Sequence, residues 1–166
     1  MGYLCSGAYH LKVTAVPHAF LMEAGRWSLQ GNWLERSGVP LPVKGKTLVA
    51  WSRDNWFTIV TQLMFPGSER DRVSLQYRGR LDAGERSYTF VLQHSLLGRG
   101  EGEGWISPGS IIQRYWMLGD RYRRSGFETL YRMENEQYCL SSGILSGHYL
   151  ISTMEAMLER ESGTKG

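Results

Sequence analysis

Arg114 and Trp116 share one phase of an extended stretch with Ile112 and Leu118, while Ile111, Gln113, Tyr115 and Met117 share the other. Both faces mix polar with apolar groups, so alternation alone leaves two arrangements open. If Arg114 and Trp116 face inward, they place a guanidinium and an aromatic wall in one cavity. A guanidinium fork binds a carboxylate through two parallel hydrogen bonds. That pair suits a small hydrophobic ligand carrying an acidic group, such as a fatty acid, a tetrapyrrole or a carotenoid derivative. An inward Arg would need the ligand or a nearby Glu as its partner, because an unpaired buried charge is costly. In the other arrangement Arg114 is solvated and Trp116 covers the outer wall. Arg121 and Arg123, with Arg124 beside them, suit a solvated rim that could steer an acidic ligand or an acidic partner protein. Gln62 and Tyr77 are polar tips among apolar strand residues. His94 lies in phase with Phe90 and Leu92, which predicts that it faces inward.

Several chemistries are excluded. No Ser occupies a G-x-S-x-G elbow, and no phosphate loop is present. Gly100, Gly102 and Gly104 alternate with Glu101 and Glu103, whose charges repel phosphate. His10, His18 and His148 lack metal-ligand spacing, and Cys5 and Cys139 are too few for a zinc site or a disulfide framework. The formal net charge of +3 is too small for a nucleic-acid footprint. No apolar run reaches the length of a membrane helix, and no secretion signal is seen. The first residues match a loose myristoylation pattern, Gly2 with Ser6, which chance supplies often. These features predict a cytoplasmic protein, with a homodimer as one possible state. Nothing indicates an enzyme positively.

The elements that must position these residues read as one domain over 1–166, with 1–16 and 161–166 loosely attached. Pro17 through Ala24 predicts a short helix, ended at Gly25. From Arg26 onward the chain alternates. Strands are expected from Arg26, across Thr47–Trp51, over 56–65, around Val73–Arg78 and Ser87–Leu96, then at 110–118, 121–133 and 136–144. Residues 98–104 read as a flexible crossing or a Gly-bent strand. Residues 149–160 fit helix and strand spacing alike; a strand is preferred because it would pair an otherwise open edge. The fold class is all-β: a single antiparallel up-and-down barrel of about eight to ten strands, wide enough for side chains plus one small ligand.

Gly25-Arg26-Trp27, ahead of that run of strands, resembles the G-x-W signature of the lipocalin-like (calycin) barrels. The resemblance implies that Trp27 plugs one end, with a late cation such as Arg132 or Arg160 on its ring, so Gly25 and Trp27 are structural. Haem-binding relatives of that barrel imply a haem-ligating or pH-sensitive role for His94, against the ordinary reading of a satisfied core histidine. A second likeness is to the S/U-type chromophore lyases, calycin barrels that attach bilins to phycobiliprotein cysteines. Phe20, Ala24, Gly25, Trp27 and Ser28 resemble their first segment, with Gln30 one residue late. Gln113-Arg114-Tyr115-Trp116 and Arg121-Tyr122-Arg123-Arg124-Ser125 resemble their later one. The family's acidic residue before the Arg is Gln113 here, which puts lyase chemistry in doubt. The resemblance implies a bilin, haem or fatty acid as ligand. Its alternatives are a bilin lyase or isomerase and a solid barrel that binds partners.

Overall fold

The computed structural model describes residues 18–163 except 37 and 135. Ten strands follow one another: β1 (Gly25–Glu35), β2 (Leu41–Trp51), β3 (Trp56–Met64), β4 (Val73–Leu81), β5 (Ser87–His94), β6 (Gly98–Ile106), β7 (Ser110–Met117), β8 (Arg124–Arg132), β9 (Gln137–Ser146) and β10 (Tyr149–Arg160). Each is antiparallel to the next, and β10 returns to pair with β1 from Trp27↔Arg160 to Glu35↔Ser152. The barrel is closed, so no strand is left with an unpaired edge.

Period-two patterning decides which face is buried. Val73, Leu75, Tyr77 and Leu81 point in along β4, and Tyr88, Phe90, Leu92 and His94 along β5. Residues 98–104 are a regular strand. Their inward positions are Gly100, Gly102 and Gly104, and the rings of Phe90 and Tyr88 lie over the last two. A Cβ at either site would overlap the ring, and one at Gly126 would overlap Tyr115 in the same way. The glycines therefore let large rings lie flat on the wall of a wide barrel. The ambiguous stretch 149–160 is strand β10, with a register shift between Leu150 and Ser152.

One end is closed by residues 18–24, which form turns where a helix was expected; Pro17 lies outside the described residues. Leu21 takes a left-handed φ of 69°, which a helix cannot accommodate. The Trp51 indole N–H donates to the Leu21 carbonyl at 2.7 Å. His18 Nε2–H donates to the Ser107 carbonyl at 2.6 Å, leaving Nδ1 to accept from the Tyr138 hydroxyl at 2.7 Å. Phe20 packs edge-on against Trp27, which is fully buried and also meets Tyr138 edge-on. Arg160 lies across from Trp27 in register, and its guanidinium is engaged by Glu23 at 2.5 Å and by the Ala24 carbonyl at 3.2 Å. No helix among the described residues is long and apolar enough to cross a membrane.

Candidate functional site

A row of inward positions crosses four strands in register: Tyr88 opposite Gly104, Gly104 opposite Gln113, and Gln113 opposite Glu128. The missing side chain at Gly104 leaves the gap over which Tyr88 reaches Gln113. The Tyr88 hydroxyl donates to Gln113 Oε1 at 2.7 Å, and Gln113 Nε2 donates to Glu128 Oε2 at 2.6 Å. From the facing side of the barrel, the Tyr77 hydroxyl donates to Glu128 Oε1 at 2.5 Å. Each carboxylate oxygen thus receives one short hydrogen bond, the arrangement that suits the ionised form.

Burial pushes the Glu128 carboxyl pKa upward, and the bonds from Tyr77 and Gln113 pull it back. Burial also raises the hydroxyls of Tyr77, Tyr88 and Tyr115, and the charge of Glu128 raises them further. These phenols are therefore fixed as hydrogen-bond donors.

Beside this row lies an interior cavity of about 60 Å³, walled mostly by apolar side chains such as Leu29, Trp33, Ile59, Leu63 and Leu140. Tyr77, His94, Gln113, Tyr115 and Glu128 line it as well, and among the described residues no Lys or Arg does. A void that size holds several waters or a compact organic group. It falls well short of the roughly 300 Å³ at which pockets for larger ligands begin.

His94 lines the cavity toward the end opposite the Phe20 plug. It is 2% exposed, and its Nδ1 accepts the backbone N–H groups of Leu96 and Leu97 at 3.1 and 3.3 Å. Burial, helped by the charge of Arg124, lowers its pKa to about 4.

The structure separates the sequence candidates into two groups. Tyr77 and His94 face the cavity. Arg114 and Trp116 lie on the outer wall, so their inward arrangement is not the one adopted. Arg114 pairs with Glu103 at 3.0 Å and sits over the Trp116 ring, a solvated arrangement needing no buried counter-charge. The inward face of β7 carries Ile111, Gln113, Tyr115 and Met117 instead. Gln62 is exposed on the outer face of β3. Arg121 and Arg123 occupy the exposed β7–β8 loop, where Asp120 holds Arg124 through two side-chain bonds at 2.9 and 3.1 Å. The interior thus presents a carboxyl and, among the described residues, no lining Lys or Arg, opposite to what an acidic guest would require.

Glu128, Tyr88 and Tyr115 were missed as site residues, and Gln113 was weighed only as a replacement for an acid. A weak signal existed, since Gly126, Glu128 and Leu130 share a phase. The competing phase carries Phe127 and Tyr131, which masked it.

No family model matches the chain, and no curated protein matches it. Solved structures do. Rv2717c from M. tuberculosis aligns with a TM-score of 0.65 at 13% identity, covering 83% of this chain and 92% of that one. The S-type phycobiliprotein lyase CPES from Guillardia theta aligns with a TM-score of 0.57 at 11% identity, covering 86% and 90%. The barrel fold is shared with both. At these identities the likeness concerns the fold alone.

Proposed function

We propose that this chain is a receptor for a compact, largely apolar molecule that donates a hydrogen bond from inside the barrel to Glu128. The observation that carries this reading is a carboxylate aimed by two donors and lining an apolar cavity that no Lys or Arg among the described residues lines. With both oxygens already oriented, it is a preorganised acceptor, and a guest N–H satisfies it without rearrangement. An acidic guest would meet repulsion there, so the ligand chemistry favoured is a neutral or cationic N–H donor.

Two molecules of equal shape test this, 2-ethylpyrrole with its N–H and 2-ethylfuran without it, titrated by calorimetry or NMR. A hydrogen bond to a charged group is worth about 1.5–3 kcal/mol, so 2-ethylpyrrole should bind at least about tenfold more tightly. That preference should shrink in Glu128→Gln. Equal binding of the two, or no binding, rejects the reading.

A second reading, action on a tetrapyrrole of the kind phycobiliprotein lyases handle, is supported by the shared fold and by one register pair. Gln113 stands where the resemblance expects an acid, and Glu128 lies directly across from it. The cavity volume weighs against this reading, because a bilin exceeds it several-fold. Co-expression with a bilin source and an apo-phycobiliprotein discriminates: a lyase leaves a covalently coloured acceptor, and a simple receptor does not.

A further inference from the structure

His94 offers the cavity a second polar contact of opposite sense. Its Nδ1 lone pair is occupied by two backbone N–H groups, so the neutral ring must carry its proton on Nε2. No described residue accepts a hydrogen bond from that Nε2–H, although the side chain is buried and lines the cavity. As arranged, the ring presents a donor and holds no free lone pair for haem iron or another metal. The register places it relative to Tyr77, the donor to Glu128. His94 pairs with Leu75 while Leu92 pairs with Tyr77, whose hydroxyl reaches Glu128. His94 therefore sits one inward step, about 7 Å along β5, beyond the position opposite Tyr77, toward the end opposite the plug.

Resting on the receptor reading above, we propose that the ligand is two-ended: an N–H at one end for Glu128, and a carbonyl or similar acceptor at the other for His94 Nε2–H. Between them a flat apolar body packs against Leu75, Leu63 and Val73, which line the same cavity. This narrows the substrate class to small heteroaromatic or amide-like molecules with a donor and an acceptor at opposite ends.

The test adds 3-acetylpyrrole, whose carbonyl lies across the ring from its N–H, and its control of like shape, 3-ethylpyrrole, to the titration. Wild-type protein should bind the acetyl compound about fivefold more tightly, the worth of one ordinary hydrogen bond. In His94→Phe the two should bind equally. Because that substitution also removes the acceptor of the Leu96 and Leu97 N–H groups, 15N NMR of the wild-type imidazole supplies a readout free of mutation. It should show Nε2 protonated and Nδ1 bare, with the Nε2–H proton moving downfield on adding 3-acetylpyrrole and staying put with 3-ethylpyrrole. A proton on Nδ1, or a wild-type ratio of one while 3-ethylpyrrole still binds, overturns the two-ended ligand and leaves the Glu128 reading standing. If neither pyrrole binds, both fall together.

Discussion

Lowering the pH should destabilise this barrel through His94 by an amount the structure allows to be worked out. The ring sits neutral in the fold, with its pKa depressed to about 4 from 6.5, first by burial and then by the charge of Arg124. The unfolded chain binds the proton first. The stabilisation is therefore fully present above pH 6.5, drains away as pH falls toward 4, and changes no further below that. At about 1.4 kcal/mol for each pH unit between those two values, the loss is about 3 kcal/mol. The mechanism is local: a proton on Nδ1 would point at two backbone N–H groups that now donate to it. Urea unfolding of wild type and His94→Asn at pH 7 and pH 4 isolates the effect. An Asn carbonyl oxygen still accepts from the backbone N–H two residues on, and does not titrate. Other groups titrate over that range in both proteins, so the quantity to read is the difference between the two pH responses. Wild type should lose about 3 kcal/mol more than the variant, a large share of the 5–15 kcal/mol typical of a domain. Equal losses would mean that His94 titrates normally, and the cap on Nδ1 would then be wrong.

Glu128 should show the opposite slope. Its pKa is raised in the fold, so the folded state holds its proton longer, and the barrel is destabilised as pH rises through that window. Glu128→Gln should gain stability relative to wild type between pH 4 and pH 8 in the same urea series, and a constant difference would contradict the burial of the charge. Gly102→Ala should cost about 1–3 kcal/mol, since its Cβ meets the Phe90 ring and the Arg114 carbonyl, and Phe90→Leu in the same chain should return part of that loss on thermal melting. Arg114→Ala should change stability by less than about 0.5 kcal/mol, because an exposed pair with Glu103 contributes little, and should leave 2-ethylpyrrole affinity within about twofold. A large loss of affinity there would return Arg114 to the ligand site.

Strand alternation made most of the barrel readable in advance, because a half-buried strand must sort its residues by parity. β4 and β5 show this cleanly, and the preference for a strand at 149–160 followed from the need to pair the first strand. Parity failed where both phases look alike. In β7 the outward set holds Ile112, Arg114 and Trp116, at least as apolar as the inward Gln113 and Tyr115. In β8 the exposed Phe127 and Tyr131 outweigh the inward Gly126 and Glu128. The site lies on these two strands, so the residues that build it were the hardest to orient. The glycines of β6 left a crossing and a Gly-bent strand both open for a related reason. Their function is to lie beneath Tyr88 and Phe90, a relation between neighbouring strands that no single strand displays. The turn at 18–24 was hidden similarly: Pro17 and Gly25 are punctuation a helix would use, whereas the bonds that fold the turn come from Trp51, Tyr138 and Ser107.

The size of the guest turns on that same turn. Among the described residues, Phe20 is the one cavity-lining residue that does not belong to a strand. Moving any other wall would break ladder hydrogen bonds, whereas moving Phe20 requires release of the His18–Tyr138, His18–Ser107 and Trp51–Leu21 contacts and of the ring packing against Trp27. A compact guest fits beside Phe20 with the plug in place; a tetrapyrrole needs the plug out. Hydrogen exchange at residues 19–24 therefore separates the two readings of the cavity. Protection that rises or holds on adding 2-ethylpyrrole fits the compact receptor. Protection that collapses on adding a bilin, with the strands unchanged, would show that the barrel takes a larger guest by expelling its own Phe20.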